Sequence, residues 1–119
     1  MRSTARSVKY NNRGVQLNNK VAQKINGYVN IAKRANYVIW GTDNLDGYSH
    51  KLYLVLYRED FGKTIQKTIQ KLEACNCTIK MLSVNDFNEI AGTNKSKIFA
   101  IKNKGISEQI INLLRGEDG

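Results

Sequence analysis

Residues 52–57 read Leu-Tyr-Leu-Val-Leu-Tyr, an apolar run with no alternation. A strand with one wet face alternates, whereas an unbroken run of this length marks a strand covered on both faces. Covering both faces of a sheet requires a layer of helices on each side. The next segment supplies one such helix. Lys63 to Ala74 contains Lys-Thr-Ile-Gln twice in tandem, and its four-residue period stacks Ile65, Ile69 and Leu72 on one side. Lys63, Lys67 and Lys71 fall on another side, the pattern of an amphipathic surface helix. Strand and helix periods continue to alternate along the whole chain.

Asn18 and Asn19 are good N-caps for a first helix carrying Val21, Ile25, Tyr28 or Val29, and Ala32 at helical spacing. Gly27 interrupts that helix at a cost of about 1 kcal/mol. Tyr37-Val38-Ile39-Trp40 reads as a short strand that stops at Gly41-Thr42-Asp43-Asn44, a turn opening a short helix that Gly47 cuts off. A strand is expected over Thr78–Leu82. Ser83 with Asp86 then starts a helix carrying Val84, Phe87 and Ile90, which Gly92 ends. Thr93 to Lys97 is a basic polar loop, and Ile98–Ile101 is the last strand. Ser107 is expected to cap a final helix that Gly116 stops. Such alternation predicts an α/β fold, a three-layer αβα sandwich with a small, about four-stranded mixed sheet. At 119 residues the chain makes one domain, expected over residues 18–116 behind a flexible arm of residues 1–17.

Charge is distributed unevenly. The first 42 residues hold eight Lys and Arg and no Asp or Glu, whereas the other 77 hold eleven basic and ten acidic residues. Almost all of the +9 formal charge therefore sits in one third of the chain. Arg2, Arg6, Lys9 and Arg13 lie on the arm, and Lys20, Lys24, Lys33 and Arg34 on the outer faces of the first helix. Concentrated charge of this kind fits a polyanionic partner, with nucleic acid the commonest, and arm and helix would contact its phosphates. The plain alternative is a solvated tail.

Catalytic signals are weak. Cys75 and Cys77 stand too close for an ordinary disulfide and have no second pair with which to build a zinc site. They read as the start of a strand with one or both thiols buried. His50 is the single histidine, with no carboxylate or cysteine at ligand spacing. No Walker loop, dinucleotide fingerprint or nucleophile elbow is present. Glu59-Asp60 ends the central strand, where an open α/β sheet places active sites. Two acids before a helix are more simply partners of its dipole. The expectation is a protein without enzymatic activity, metal or cofactor. The lack of a long apolar run excludes a spanning helix, and no secretory signal is visible. The cytoplasm is the expected compartment, with a mitochondrial presequence over the basic, acid-free residues 1–20 the weaker alternative because they lack an apolar face.

Two loops remain. Gly41-Thr42-Asp43-Asn44 offers backbone N–H groups, a hydroxyl, an acid and an amide, groups that can read base edges. Gly92-Thr93-Asn94-Lys95-Ser96-Lys97 offers donors and two positive charges on little bulk.

At this point the chain resembles the ribosomal protein L-seven-Ae/L-thirty-e family, whose members bind kink-turn RNA. Ile31-Ala32-Lys33-Arg34-Ala35, Val38-Ile39-Trp40-Gly41, Lys51 to Leu56 with Glu59-Asp60, and Ile98 to Gly105 carry the resemblance, which runs from Lys24 to Leu114. It is similar to the small bacterial members. The resemblance implies an αβα sandwich that grips sharply bent RNA through Gly41, Thr42, Asp43 and Asn44 and through Gly92, Thr93, Asn94, Lys95 and Lys97. The chain departs from the family in three ways, the first being that Ile39-Trp40 stands where many members have lysines. Asp43-Asn44 stands where RNA-reading members have Asn-Glu, and the Gly41–Lys51 stretch is shorter, which predicts a second helix of one turn or none.

The expected function is that of a non-catalytic, ribosome-associated protein binding structured RNA, either ribosomal RNA or another kink-turn RNA. The alternative is a protein-interaction or homodimerisation module of the same fold, anchored by Trp40 and Tyr48, that has lost kink-turn recognition.

Overall fold

The computed structural model describes residues 17–118, with nine elements among them. They are α1 (Asn19–Arg34), β1 (Val38–Trp40), α2 (Gly41–Asp46), β2 (Leu54–Arg58), α3 (Lys63–Glu73), β3 (Thr78–Leu82), α4 (Val84–Ala91), β4 (Ile98–Ile101) and α5 (Lys104–Asp118). The order is the one the periodicities predict. The strands form one sheet in the order β1-β4-β2-β3. β4 runs antiparallel to both its neighbours, and β2 and β3 are parallel, joined by α3. The sheet is thus mixed.

Interior position explains the apolar runs. Leu54, Val55 and Leu56 are fully buried, as are all four residues of β4 to within 1%. Alternate side chains enter opposite layers. Leu54, Leu56, Phe99 and Ile101 pack with α1, α4 and α5, whereas Val55, Ile98 and Ala100 pack with α2 and α3. The register Leu56↔Phe99 and Val55↔Ala100 keeps each face in phase. Phe99 lies at the centre of the larger core, 5.0 Å from the Trp40 ring and 5.4 Å from that of Phe87.

Side-chain caps set the starts of α1 and α4. The Asn18 side chain accepts from the Lys20 N–H at 2.8 Å, and Ser83 Oγ accepts from the Asp86 N–H at 3.2 Å. Gly92 closes α4 in the left-handed region at φ 73°. The buried α1 face is Ala22, Ile25, Val29 and Ala32, and Val21 and Tyr28, as expected on this helix, pack partly buried against the same core.

Several expectations change. The last helix starts at Lys104, not at Ser107, because the Asn103 carboxamide accepts from the Ile106 N–H at 2.8 Å and provides the cap. Ser107 lies inside the helix, fully buried. Gly116 does not end α5, which runs to Asp118. β2 begins at Leu54 rather than Leu52 and takes in Arg58. α2 spans six residues, more than a single turn, because Leu45 is buried and the Thr68 hydroxyl donates to Asp46 Oδ1 at 2.9 Å. Cys75 is exposed in the turn before β3, and half-buried Cys77 lies just ahead of the strand. Burial pushes the Cys77 thiol above its ordinary range.

Leu17, the last residue of the expected arm, is buried, and its N–H donates to Asp86 Oδ2 at 2.8 Å. Residues 1–16, with Arg2, Arg6, Lys9 and Arg13, lie outside the described residues.

Candidate nucleic-acid interface

Strand directions decide which loops meet. β1 and β4 are antiparallel with Trp40 opposite Phe99, so the residue after β1 and those before β4 lie at one end of the sheet. β2 also ends there, since the Arg58 N–H donates to the Lys97 carbonyl at 2.8 Å. Two segments more than fifty positions apart in sequence therefore converge. Gly41, Thr42, Thr64 and Ile65 line one side of a cavity of about 310 Å³, and Lys95, Ser96, Lys97 and Ile98 line the other.

On the first side Gly41 and Thr42 open α2, and Thr64 and Ile65 lie in the first turn of α3. Gly41 adopts φ 82°, a left-handed conformation that favours glycine and lets the chain turn from β1 straight into the helix. The Asn44 amide donates to the Trp40 carbonyl at 2.8 Å, which holds that turn. Asn44 is thus partly committed to its own backbone, while Asp43 is exposed beside it.

The second side is a loop stiffened from within. Thr93 Oγ1 accepts from the Lys95 N–H at 3.1 Å, and the Ser96 hydroxyl donates to the Ile98 carbonyl at 2.9 Å. Asn94 and Lys95 stay exposed, and Lys95 has no carboxylate partner among the described residues. Lys97 reaches the Asp60 carbonyl at 3.2 Å and lies 3.7 Å from Asp60 Oδ2.

The expected basic residues of α1 divide. Lys33 donates to the Ala91 carbonyl at 2.6 Å and sits 5.3 Å from the centre of the Trp40 ring. It ties α1 to the end of α4 next to Gly92, where an added Cβ would meet its ammonium at 3.2 Å. Arg34 is exposed in the same last turn. Lys20 and Lys24 belong elsewhere. At 1.5 Å per residue, Lys20 lies about 20 Å along the helix from Lys33. Lys24 borders a groove between α1 and α5.

Trp40, the expected anchor of a protein partner, keeps part of its surface accessible. It is half-buried between Phe99 and the Lys33 ammonium. Tyr48 is likewise half-buried, edge-on to exposed His50 at 5.5 Å. No group of three or more potential metal ligands occurs among the described residues, and none of their helices is long and apolar enough to cross a membrane.

Sequence reasoning missed Thr64 and Ile65, and it misread Glu59-Asp60. Glu59 Oε2 accepts from the Val84 N–H at 3.2 Å, at the start of α4 rather than of α3. Asp60 takes two hydrogen bonds from Arg58, Nε to Oδ1 at 2.7 Å and a terminal nitrogen to Oδ2 at 3.0 Å. These bonds hold its carboxyl below the ordinary 3.8. Arg58 also donates to Asn88 Oδ1 at 2.9 Å. The available signal was the basic residue ending the central strand with an acid two positions on.

No protein-family model matches the chain, and no curated protein matches it. Solved structures share the fold. A Bacillus halodurans protein of unknown function superposes with a TM-score of 0.63 at 19% identity, over 78% of this chain and 98% of its own. The Giardia lamblia 15.5 kD RNA-binding protein superposes with a TM-score of 0.58 at 11% identity, over 92% of this chain and 98% of its own. At these identities the likeness defines a class of αβα sandwich.

Proposed function

We propose that this protein is a non-catalytic RNA-binding protein that recognises structured, kink-turn-like RNA and works in association with the ribosome. The observation that carries this reading is the convergence of Gly41-Thr42 with Lys95–Lys97 around one cavity, with cations at its rim. Backbone N–H groups, hydroxyls and lysines on a stiff frame suit a bent phosphate backbone, and folded RNA is read largely by shape. A protein named as RNA-binding on the same fold adds support.

The test is binding of the full chain, and of a chain starting at Leu17, to a kink-turn hairpin and a plain duplex at several salt concentrations. With about six phosphates neutralised, log K against log salt should have a slope of about −4 to −5. A kink-turn preference that survives removal of residues 1–16 and is lost in Lys95→Ala/Lys97→Ala supports the reading. Equal binding to both RNAs, lost with residues 1–16, refutes it.

One observation favours a second reading, homodimerisation. Ile31 is 51% exposed and, with Tyr28 and Leu113, lines an apolar groove of about 540 Å³ between α1 and α5. Mass in solution that rises with concentration and reverts in Ile31→Glu would support it.

A further inference from the structure

Lys97 is held at both its backbone and its ammonium. Its backbone carbonyl accepts the Arg58 N–H, which fixes the start of the side chain against the end of β2. Its Nζ reaches back to Asp60, 3.2 Å from the carbonyl and 3.7 Å from Oδ2. Asp60 is itself fixed, because both its carboxylate oxygens are held by the Arg58 guanidinium. That guanidinium is 11% exposed and bound to Asn88 on its far side. A planar fork on a carboxylate sets orientation as well as distance. Asn88, Arg58, Asp60 and Lys97 therefore form one chain of contacts running from α4 to the cavity rim.

The charges along this chain matter. Asp60 lies between two cations, and Glu59, the nearest other acid in sequence, is directed to the α4 N-terminus. Lys95, two residues from Lys97, has no such restraint among the described residues. The rim thus presents one unrestrained lysine and one lysine already matched to a carboxylate.

We propose that Asp60 is a specificity-determining residue of this interface: it withholds Lys97 from any passing polyanion while fixing the ammonium where a phosphate seated at the cavity can meet it. A plain duplex, which cannot enter the cavity, must detach Lys97 from Asp60 to use it. A bent RNA meets the lysine already in position and loses little in ordering it. The inference rests on the RNA-binding reading of the same cavity.

General electrostatics and this proposal predict different outcomes. Removing a negative charge beside a polyanion site should strengthen binding of every RNA alike. Under the proposal, Asp60→Asn strengthens the plain duplex by roughly threefold, about the worth of one partly exposed ion pair, and leaves the kink-turn hairpin unchanged or weaker. The ratio of the two affinities falls. In a Lys97→Met background the same substitution leaves that ratio unchanged.

The experiment is a titration of the full-length wild type, D60N, K97M and the double variant with both RNAs at one salt concentration, with a thermal melt of each. An equal shift on both RNAs in D60N overturns the proposal, as does a ratio change of the same size in the K97M background. Should D60N fail to fold, K97M alone decides, because it must weaken the hairpin more than the duplex and equal loss overturns the idea. A wild type with no preference for the hairpin removes the kink-turn reading of the cavity, and the proposal with it.

Discussion

At the scale of single residues, two polar side chains behave in opposite ways. Ser107 was expected as a helix cap, yet its hydroxyl is buried with no hydrogen-bond partner among the described residues. A buried unpaired hydroxyl costs about 1–3 kcal/mol. Ser107→Ala should therefore stabilise the fold by up to about 1 kcal/mol after allowing for lost packing, which urea unfolding would detect as a higher midpoint. A lower midpoint would mean that the hydroxyl has a partner. Asp60 is fully paired. The Arg58 hydrogen bonds lower its carboxyl in the folded state, so the folded protein binds that proton less tightly than the unfolded chain does. Its contribution is fully present above about pH 4 and is lost as pH falls through the lowered value. The acid limb of a stability-against-pH curve should flatten in Asp60→Asn. The effect is small because the side chain is 43% exposed.

At the scale of elements, α2 shows how little sequence is needed when tertiary partners exist. Six residues cannot form a helix alone, since nucleation is too costly. Here Leu45 sits in the core and Asp46 takes the hydroxyl of Thr68 from α3. Thr68 is itself 1% exposed. Thr68→Val keeps the shape and removes the donor, and should destabilise by about 1 kcal/mol while speeding amide exchange in Gly41–Asp46 above the rest of the domain. Uniform exchange would show that Leu45 alone docks α2. Neighbouring β4 is the contrary case. Its four residues are apolar and buried from both sides, and the run Ile98–Ile101 was legible at once. The starts of α1 and α4 were equally legible because Asn18 and Ser83 cap locally, whereas Asn103 was overlooked since Ser107 also fits a cap pattern.

At the scale of the whole molecule, the described basic residues of α1 do not form one patch. Lys33 is engaged at the Trp40 end of α1, Lys20 lies in the first turn of that helix, Lys24 borders the groove between α1 and α5, and residues 1–16 lie outside the described residues. Charge far from the cavity acts through the long-range field, which salt screens within about 10 Å at 0.1 M. Lys20→Ala/Lys24→Ala should therefore weaken kink-turn and duplex RNA by similar factors and make the salt slope shallower, leaving the preference unchanged. A selective loss of kink-turn binding would place these lysines in the specific site.

Local chemistry by itself determined the element order, the helical faces, most of the caps and the concentration of charge, because each depends on residues a few positions apart. The two candidate loops were visible as well, Gly41–Asn44 by its glycine and polar groups and Thr93–Lys97 by its lysines. Tertiary structure alone decided that they share a cavity, that Thr64 and Ile65 complete it, and that Lys97 is bound to Asp60. Those facts follow from the antiparallel register of β4 with β1 and β2, and strand pairing joins residues whose separation along the chain leaves no local mark.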